Sequence, residues 1–245
     1  MPRGGERGKA DLHLHTLYSD GTARLVDLLA WIEHRTDLDL VAITDHDRID
    51  GALRAAELHA EAGYAYELVV GEEVTTRSGH VVGLFLTEPI PAFRSVAETV
   101  ERIHGQGGLA VAAHPLGVFL SLGSRSLRRL QADPREDRHL DAVELINPSL
   151  GGRLRHGALA ELNAGELKLP GLGNSDAHIL ETVASAWTWF PGSSAGEFRG
   201  ALATGEVEPA GSHWSTGHNV AVYGRQLVAK GRKLGHTLRP SGEWR

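Results

Sequence analysis

The sequence contains no cysteine. That excludes a disulfide framework and any thiolate metal site, so a bound metal would have to be held through nitrogen and oxygen. Also missing is any apolar run approaching the roughly 18 residues of a membrane helix. The opening MPRGGERGKA is polar and has no apolar signal core, so a soluble, cytoplasmic protein is the expectation. Nor is there a surplus of positive charge. The 25 Lys and Arg stand against 31 Asp and Glu, a formal charge of −6. Stable nucleic-acid binding is therefore not expected, because gripping a phosphate backbone takes clustered cations. Phosphorylated substrates stay open, since bound metal ions would invert the local field.

What is present suits one large domain or two small ones: 245 residues, 41% hydrophobic and 23% charged. Short apolar runs alternate with segments of helical spacing. Strands are expected at 10–16, 38–45, 67–76, 80–86, 109–115, 142–147, 169–178 and 184–190. Helices are expected at 23–35, 50–62, 95–108, 155–165 and 195–204. Arg77-Ser78-Gly79 reads as a hairpin turn, and 121–138 as a loop rich in serine and arginine. This rhythm predicts a single α/β domain, a TIM-like barrel of parallel strands with function at their carboxyl ends. Residues 1–9 read as a flexible N-terminus, 10–206 as the barrel, and 207–245 as a mildly cationic tail with one helical candidate, Asn219–Lys230.

Fourteen histidines are the unusual feature. His13 and His15 share one face of a strand, with Leu12 and Leu14 on the other. His46, His80, His114 and His178 also fall at strand ends or their loops, as do Asp20, Glu73 and Asp176. Strand alternation puts Glu72 on the face opposite Glu73. Asp45 and Asp47 are candidates to accept imidazole N–H bonds, whereas Glu144 and Asn147 read as structural. His34, His59, His104, His139, His156, His213, His218 and His236 read as solvated surface. Imidazole and carboxylate together suit Zn, Mn or Fe.

His13-x-His15, Ser19-Asp20-Gly21, Thr44-Asp45-His46-Asp47, Gly71-x-Glu73, His80, Ala113-His114-Pro115 and Ser175-Asp176-x-His178 occur in order. In this series the sequence resembles the polymerase and histidinol phosphatase (PHP) family over about residues 10–205. The resemblance implies a distorted (β/α)7 barrel, a metal-dependent phosphoesterase activity and a centre of two or three divalent ions. It implies nine ligands: His13, His15, Asp20, His46, Glu73, His80, His114, Asp176 and His178. Of these, His13, His15, Glu73, Asp176 and His178 are expected to be catalytic.

The expected reaction is phosphoric ester hydrolysis of a small phosphorylated metabolite, a phosphomonoester or nucleotide. Two cations roughly 3.5–4 Å apart would hold a bridging hydroxide for in-line attack. Arg125, Arg153 and Arg155, read as lying in loops after strands, are candidates to contact substrate. Only residues 47–72 separate the His46 and Glu73 motifs. That leaves no room for the helical lid of some nucleotide phosphatases in the family, so an open site, or one covered by the 117–140 loop, is expected. Two alternatives are an oligonucleotide phosphoesterase and an amidohydrolase-type enzyme, whose metals would often be bridged by a lysine or a histidine pair, where this sequence offers Glu73 and His80 in a hairpin and Asp20 for a third ion. The sequence does not reveal an oligomeric state.

Overall fold

The computed structural model describes residues 7–117 and 120–212, together with Gly217, Val220, Val222 and Gly224. Its centre is a strand with both faces covered. In β1 (Arg7–Leu14) every residue after Arg7 is buried, and the polar ones point to the barrel rim or to fixed partners. β2 (Leu40–Ile43) and β3 (Glu67–Thr76) follow in parallel register, with α1 (Leu25–Arg35) and α2 (Asp50–Ala62) as the connecting helices. Apolar Leu25, Leu28, Leu29 and Ile32 form the stripe that seats α1 on the sheet. α2 ends at Gly63, whose left-handed backbone (φ 65°) closes the last turn with a bond to His59 O.

The sheet then departs from the simple parallel barrel that the alternating pattern suggested. β4 (Gly79–Leu84) folds back antiparallel to β3, and β5 (Leu109–Ala112) runs antiparallel to β4. The hairpin at Arg77-Ser78-Gly79 is the physical cause, since a two-stranded turn can only reverse the chain. One consequence matters for function: the start of β4, with His80, lies at the same rim as the ends of the parallel strands. α3 (Val96–Gly105) precedes β5. β6 (Ala142–Ile146) and β7 (Gly171–Gly173) then continue in parallel.

β8 (Ala186–Pro191) pairs antiparallel with β1 and carries β9 (Glu208–Gly211) at its outer edge, with α6 (Ala195–Thr204) between them. The resulting order is β7-β6-β5-β4-β3-β2-β1-β8-β9. The two ends of this sheet meet at Gly173, where an added Cβ would lie 2.4 Å from Trp187 O and 2.7 Å from Ala210 O. Past β7 the chain also bridges β1 directly, with His15 N–H donating to Ala177 O at 2.9 Å. The sheet is thus a nearly closed, distorted α/β barrel.

Several boundaries differ from expectation. Arg7–Lys9 is not a flexible lead but part of β1, where Lys9 Nζ lies 4.0 Å from the Trp187 ring centre and pairs with Asp37. The expected loop at 121–138 contains α4 (Ser124–Gln131), whose Leu127 and Leu130 are buried among its arginines. α5 (Leu150–Leu162) begins earlier than predicted, because Ser149 caps it by accepting from Gly152 N–H. The 207–245 tail opens with a sheet strand, β9. Within the expected helix Asn219–Lys230, Val220, Val222 and Gly224 are helical and the rest lies outside the described residues. Among the described residues no helix is long and apolar enough to cross a membrane.

Candidate metal centre

Each functional side chain lies on a strand or in the loop beside one. His13 belongs to β1, and His15 follows it directly. The bridge between His46 and Glu73 sets the end of β2 against the middle of β3. Gly71 is needed two residues before Glu73 because a Cβ there would meet Gly83 O and Thr44 Cγ2 at 2.9 Å. His80 opens β4, His114 follows β5, and Asp176 and His178 follow β7.

All nine residues singled out by the sequence pattern converge. Glu73 is fully buried and sits at their middle. Its Oε2 is 3.0 Å from His13 Nε2, 3.2 Å from His15 Nε2 and 3.2 Å from His46 Nδ1. Its Oε1 is 2.8 Å from both His80 Nδ1 and His114 Nε2. Asp176 Oδ1 approaches His15 Nε2 at 3.2 Å, and Asp20 Oδ1 approaches His178 Nε2 at 3.0 Å. Four overlapping groups have donor atoms close enough to share an ion: His15/Asp20/His46/His178, His13/Glu73/His114, His13/His15/Asp176 and His46/Glu73/His80.

The electrostatics follow from this crowding. Burial raises the Glu73 carboxyl, but His46, His13 and His114 outweigh that and hold it well below the usual range. Asp20 and Asp176 are depressed in the same way, against burial, by His178 and by His13 and His15 respectively. Burial pulls His15 down, yet Asp176 and Glu73 bring it up to about 10, and His13 is likewise raised by Glu73, Glu144 and Asp176. His46 goes the other way: burial wins and its imidazole is lowered. With protein groups alone, then, the centre holds protons where cations would fit.

The donor set fits divalent metal. Nε2 of His13, Nε2 of His15, Oε2 of Glu73 and both nitrogens of His80 are buried without an aligned hydrogen-bond partner. Buried polar atoms are rarely left so, and several orphaned atoms in one cluster of imidazole and carboxylate are what bound cations would satisfy. Backbone strain gathers here as well. His114 (φ 29°), Asp176 (φ 51°) and Asp47 (φ 52°) all take the left-handed conformation, at about 1–3 kcal/mol each.

Around the cluster lies a shell of fixed carboxylates. Asp45 accepts from the backbone and hydroxyl groups of Thr16 and Ser19, shaping the turn that carries Asp20. It therefore organises backbone rather than accepting an imidazole N–H, and Asp47 likewise accepts from Thr75 N–H at 2.6 Å. Asp11 accepts from Ser175 and Ala184 N–H, bracketing the Asp176–His178 turn, and burial pushes it up to about 6. Glu72 points to the other face as expected, accepting from Ile90 N–H.

Sequence reasoning passed over Glu144 and Asn174, which lie against the cluster. Their signal was a carboxylate inside the apolar run AVELIN and an asparagine just ahead of Ser175-Asp176. Asn147, also read as structural, reaches Asp176 at 3.3 Å. The arginine candidates fare differently. Arg125, Arg153 and Arg155 are exposed on α4 and α5, not on loops, because both segments bury leucines at helical spacing.

This is a mixed α/β barrel with a buried histidine–carboxylate cluster at one rim. The PHP-associated family model (PHP_C) matches residues 155–207, a stretch that includes Asp176 and His178. The chain is 38% identical to the protein MJ1587 of Methanocaldococcus jannaschii over 151 residues, 57% of this chain and 81% of that one. It is 35% identical over 105 residues to the 5'-3' exoribonuclease Rnm of Salmonella typhimurium, covering 40% of this chain and 35% of the relative. In fold it resembles a two-domain Bacteroides vulgatus protein containing a predicted PHP-like metal-dependent phosphoesterase. That likeness has a TM-score of 0.65 at 18% identity and covers 84% of this chain and 65% of the other. The chain belongs to the PHP family.

Proposed function

We propose that this protein is a metal-dependent phosphoesterase that hydrolyses a small phosphorylated substrate. In this reading the nine clustered residues hold two or three divalent ions of the Zn, Mn or Fe type. The observation that supports it best is Glu73, a buried carboxylate with five imidazoles within 3.2 Å of its two oxygens. One carboxylate with each oxygen turned to a different set of imidazoles is suited to bridge two cations. Such ions supply an activated water nucleophile and neutralise charge on the phosphoryl group.

The chain's own residues do the rest. Asp45 and Asp11 hold the two turns that present Asp20, Asp176 and His178. The proton held between His15 and its carboxylates is what ion binding must displace. His178 donates through Nδ1–H to Asp176 O at 2.9 Å, leaving its Nε2 facing Asp20. Residues 10–206 are assigned as the catalytic barrel, with Arg7–Lys9 and β9 joined to its sheet.

An amidohydrolase-type centre bridged by a lysine is disfavoured. Of the described lysines, Lys9 is engaged with Asp37 and Trp187, and Lys168 is exposed on a turn, so neither bridges this cluster. A second reading, cleavage of short oligonucleotides, has the partial similarity to Rnm in its favour. The test is elemental analysis of purified protein with a phosphate-release screen over sugar phosphates, histidinol phosphate, mononucleotides and short oligonucleotides. Metal-loaded protein should release phosphate from a monoester. Turnover of an amide or lactone with no phosphoester cleaved would overturn the proposal.

A further inference from the structure

Glu144 lies on β6, and its side chain is buried. Among the described residues no arginine or lysine pairs with it, so its buried oxygens have to be satisfied by other hydrogen bonds. Three donors converge on it from three different strand ends. Oε1 is 2.7 Å from His13 Nδ1 and accepts from Asn174 Nδ2 at 2.9 Å, while Oε2 accepts from the backbone N–H of His114 at 2.7 Å. The orientation of Asn174 is itself fixed, because its Oδ1 accepts from Leu12 N–H at 3.0 Å.

An ionised carboxylate can only accept. A proton must therefore sit on Nδ1 of His13, which leaves Nε2 as the nitrogen presented to Glu73 and Asp176, at 3.0 and 3.6 Å. The second oxygen holds the His114 backbone in its left-handed conformation, φ 29°, so that its ring reaches Glu73.

We infer that Glu144 is a positioning residue: one carboxylate fixes the tautomer of His13 and the backbone of His114, aligning ligands from two strands for the same ion. This rests on the nine-residue centre proposed above and adds to it a tenth side chain that touches no ion. A filler role makes a different prediction, because a glutamine of equal volume would serve as well. Here it cannot. Either its amide NH2 meets His114 N–H, or it meets Nδ1 of His13 and the Asn174 NH2, donor against donor.

The test combines E144Q with two readouts independent of turnover. The first is which ring nitrogen of His13 binds the ion, read from its 15N shifts in the Zn2+-loaded wild type and variant. The second is the affinity for Zn2+ or Mn2+ by calorimetric titration. In the wild type Nε2 should carry the ion and Nδ1 the proton, and E144Q should mix the two arrangements and bind metal about 10- to 100-fold more weakly. Wild-type metal affinity in E144Q, or an unprotonated Nδ1 in the wild type, would overturn the inference. If E144Q does not fold, the wild-type 15N spectrum decides alone. A wild-type protein that binds neither ion would defeat the metal centre itself, whereas wild-type affinity in E144Q would defeat this inference alone, so the two failures are distinguishable.

Discussion

The histidines of the rim and those of the outer helices are the same residue in opposite circumstances. His59 donates to Tyr66 O, His139 to Asp133 O and His156 to Leu145 O. His104 bridges Asp137 O and Asp141. Each ties a helix or loop to a neighbouring strand or turn and is satisfied by protein alone, so these are local cross-links rather than the solvated surface their helical positions suggested. At the rim, nitrogens of His13, His15 and His80 are buried and left without aligned partners. What distinguishes a metal centre is therefore not the number of histidines but the unmet valence of their nitrogens. Helical spacing says nothing about that quantity, and strand ends only hint at it.

The largest effect should come from breaking the rim. His13→Ala and Asp176→Ala should each reduce phosphate release to background, with far-ultraviolet circular dichroism close to wild type. His156→Ala should keep most of its turnover. Equal losses in all three variants would erase the distinction between the two populations.

Next in size is metal-dependent stability. Ion bound only by the folded state stabilises it by about 2.7 kcal/mol at a hundredfold excess over the dissociation constant. Calorimetric melting with and without a chelator should show this shift in the wild type and in His104→Ala, but not in Glu73→Ala. Because protons occupy the rim when cations do not, metal affinity should also fall as pH is lowered.

Glu72 and Glu73 sharpen the comparison within a single strand, since adjacent carboxylates face opposite environments. Burial, helped by Asp47 and Asp50, pushes Glu72 up to about 7 despite the Ile90 N–H bond. A raised acid binds protons preferentially in the folded state, so stability contributed by its neutral form fades as pH rises from about 4.5 through 7. Glu72→Gln keeps an acceptor for Ile90 and removes that cost. Denaturant titration at pH 8 should find it about 1–2 kcal/mol more stable than wild type, and a loss of stability there would contradict the assignment.

The smallest effect belongs to the outer pair. Asp141 raises the His104 imidazole above its ordinary value, so its contribution is whole below about pH 6.5 and disappears as pH rises through the folded value. Both groups are partly exposed, and solvent screening limits the contribution to under about 1 kcal/mol. Urea titrations of His104→Ala at pH 5.5 and 9 should show the gap from wild type narrowing at the higher pH.

Much of this was legible in the sequence, for reasons that also explain the misses. β3 and α6 were read to their exact residues because hydrophobic period and turn residues agree there. The nine rim residues were found because histidines and carboxylates recur on or beside strands that the period-two pattern marks, and the resemblance to the PHP family completed the set. Strand direction is a different matter. Alternation looks the same in parallel and antiparallel strands, so the antiparallel seam of β8 on β1 became visible only in the fold, whereas the reversal of β4 was legible from the hairpin turn at Arg77-Ser78-Gly79. α4 was hidden because arginine and serine outnumber its two buried leucines. Glu144 was missed because the face it takes depends on the β6–β7 register, which shifts between Glu144 and Ile146 and is set by packing rather than by local sequence.

The most direct test is anomalous diffraction from crystals grown with Mn2+ or Zn2+. The account predicts two or three peaks clustered around the Glu73 carboxylate, each within bonding distance of rim imidazoles and of Asp20 or Asp176 or Glu73 itself. An empty rim in metal-saturated crystals, or ions bound only at the outer histidines, would contradict it.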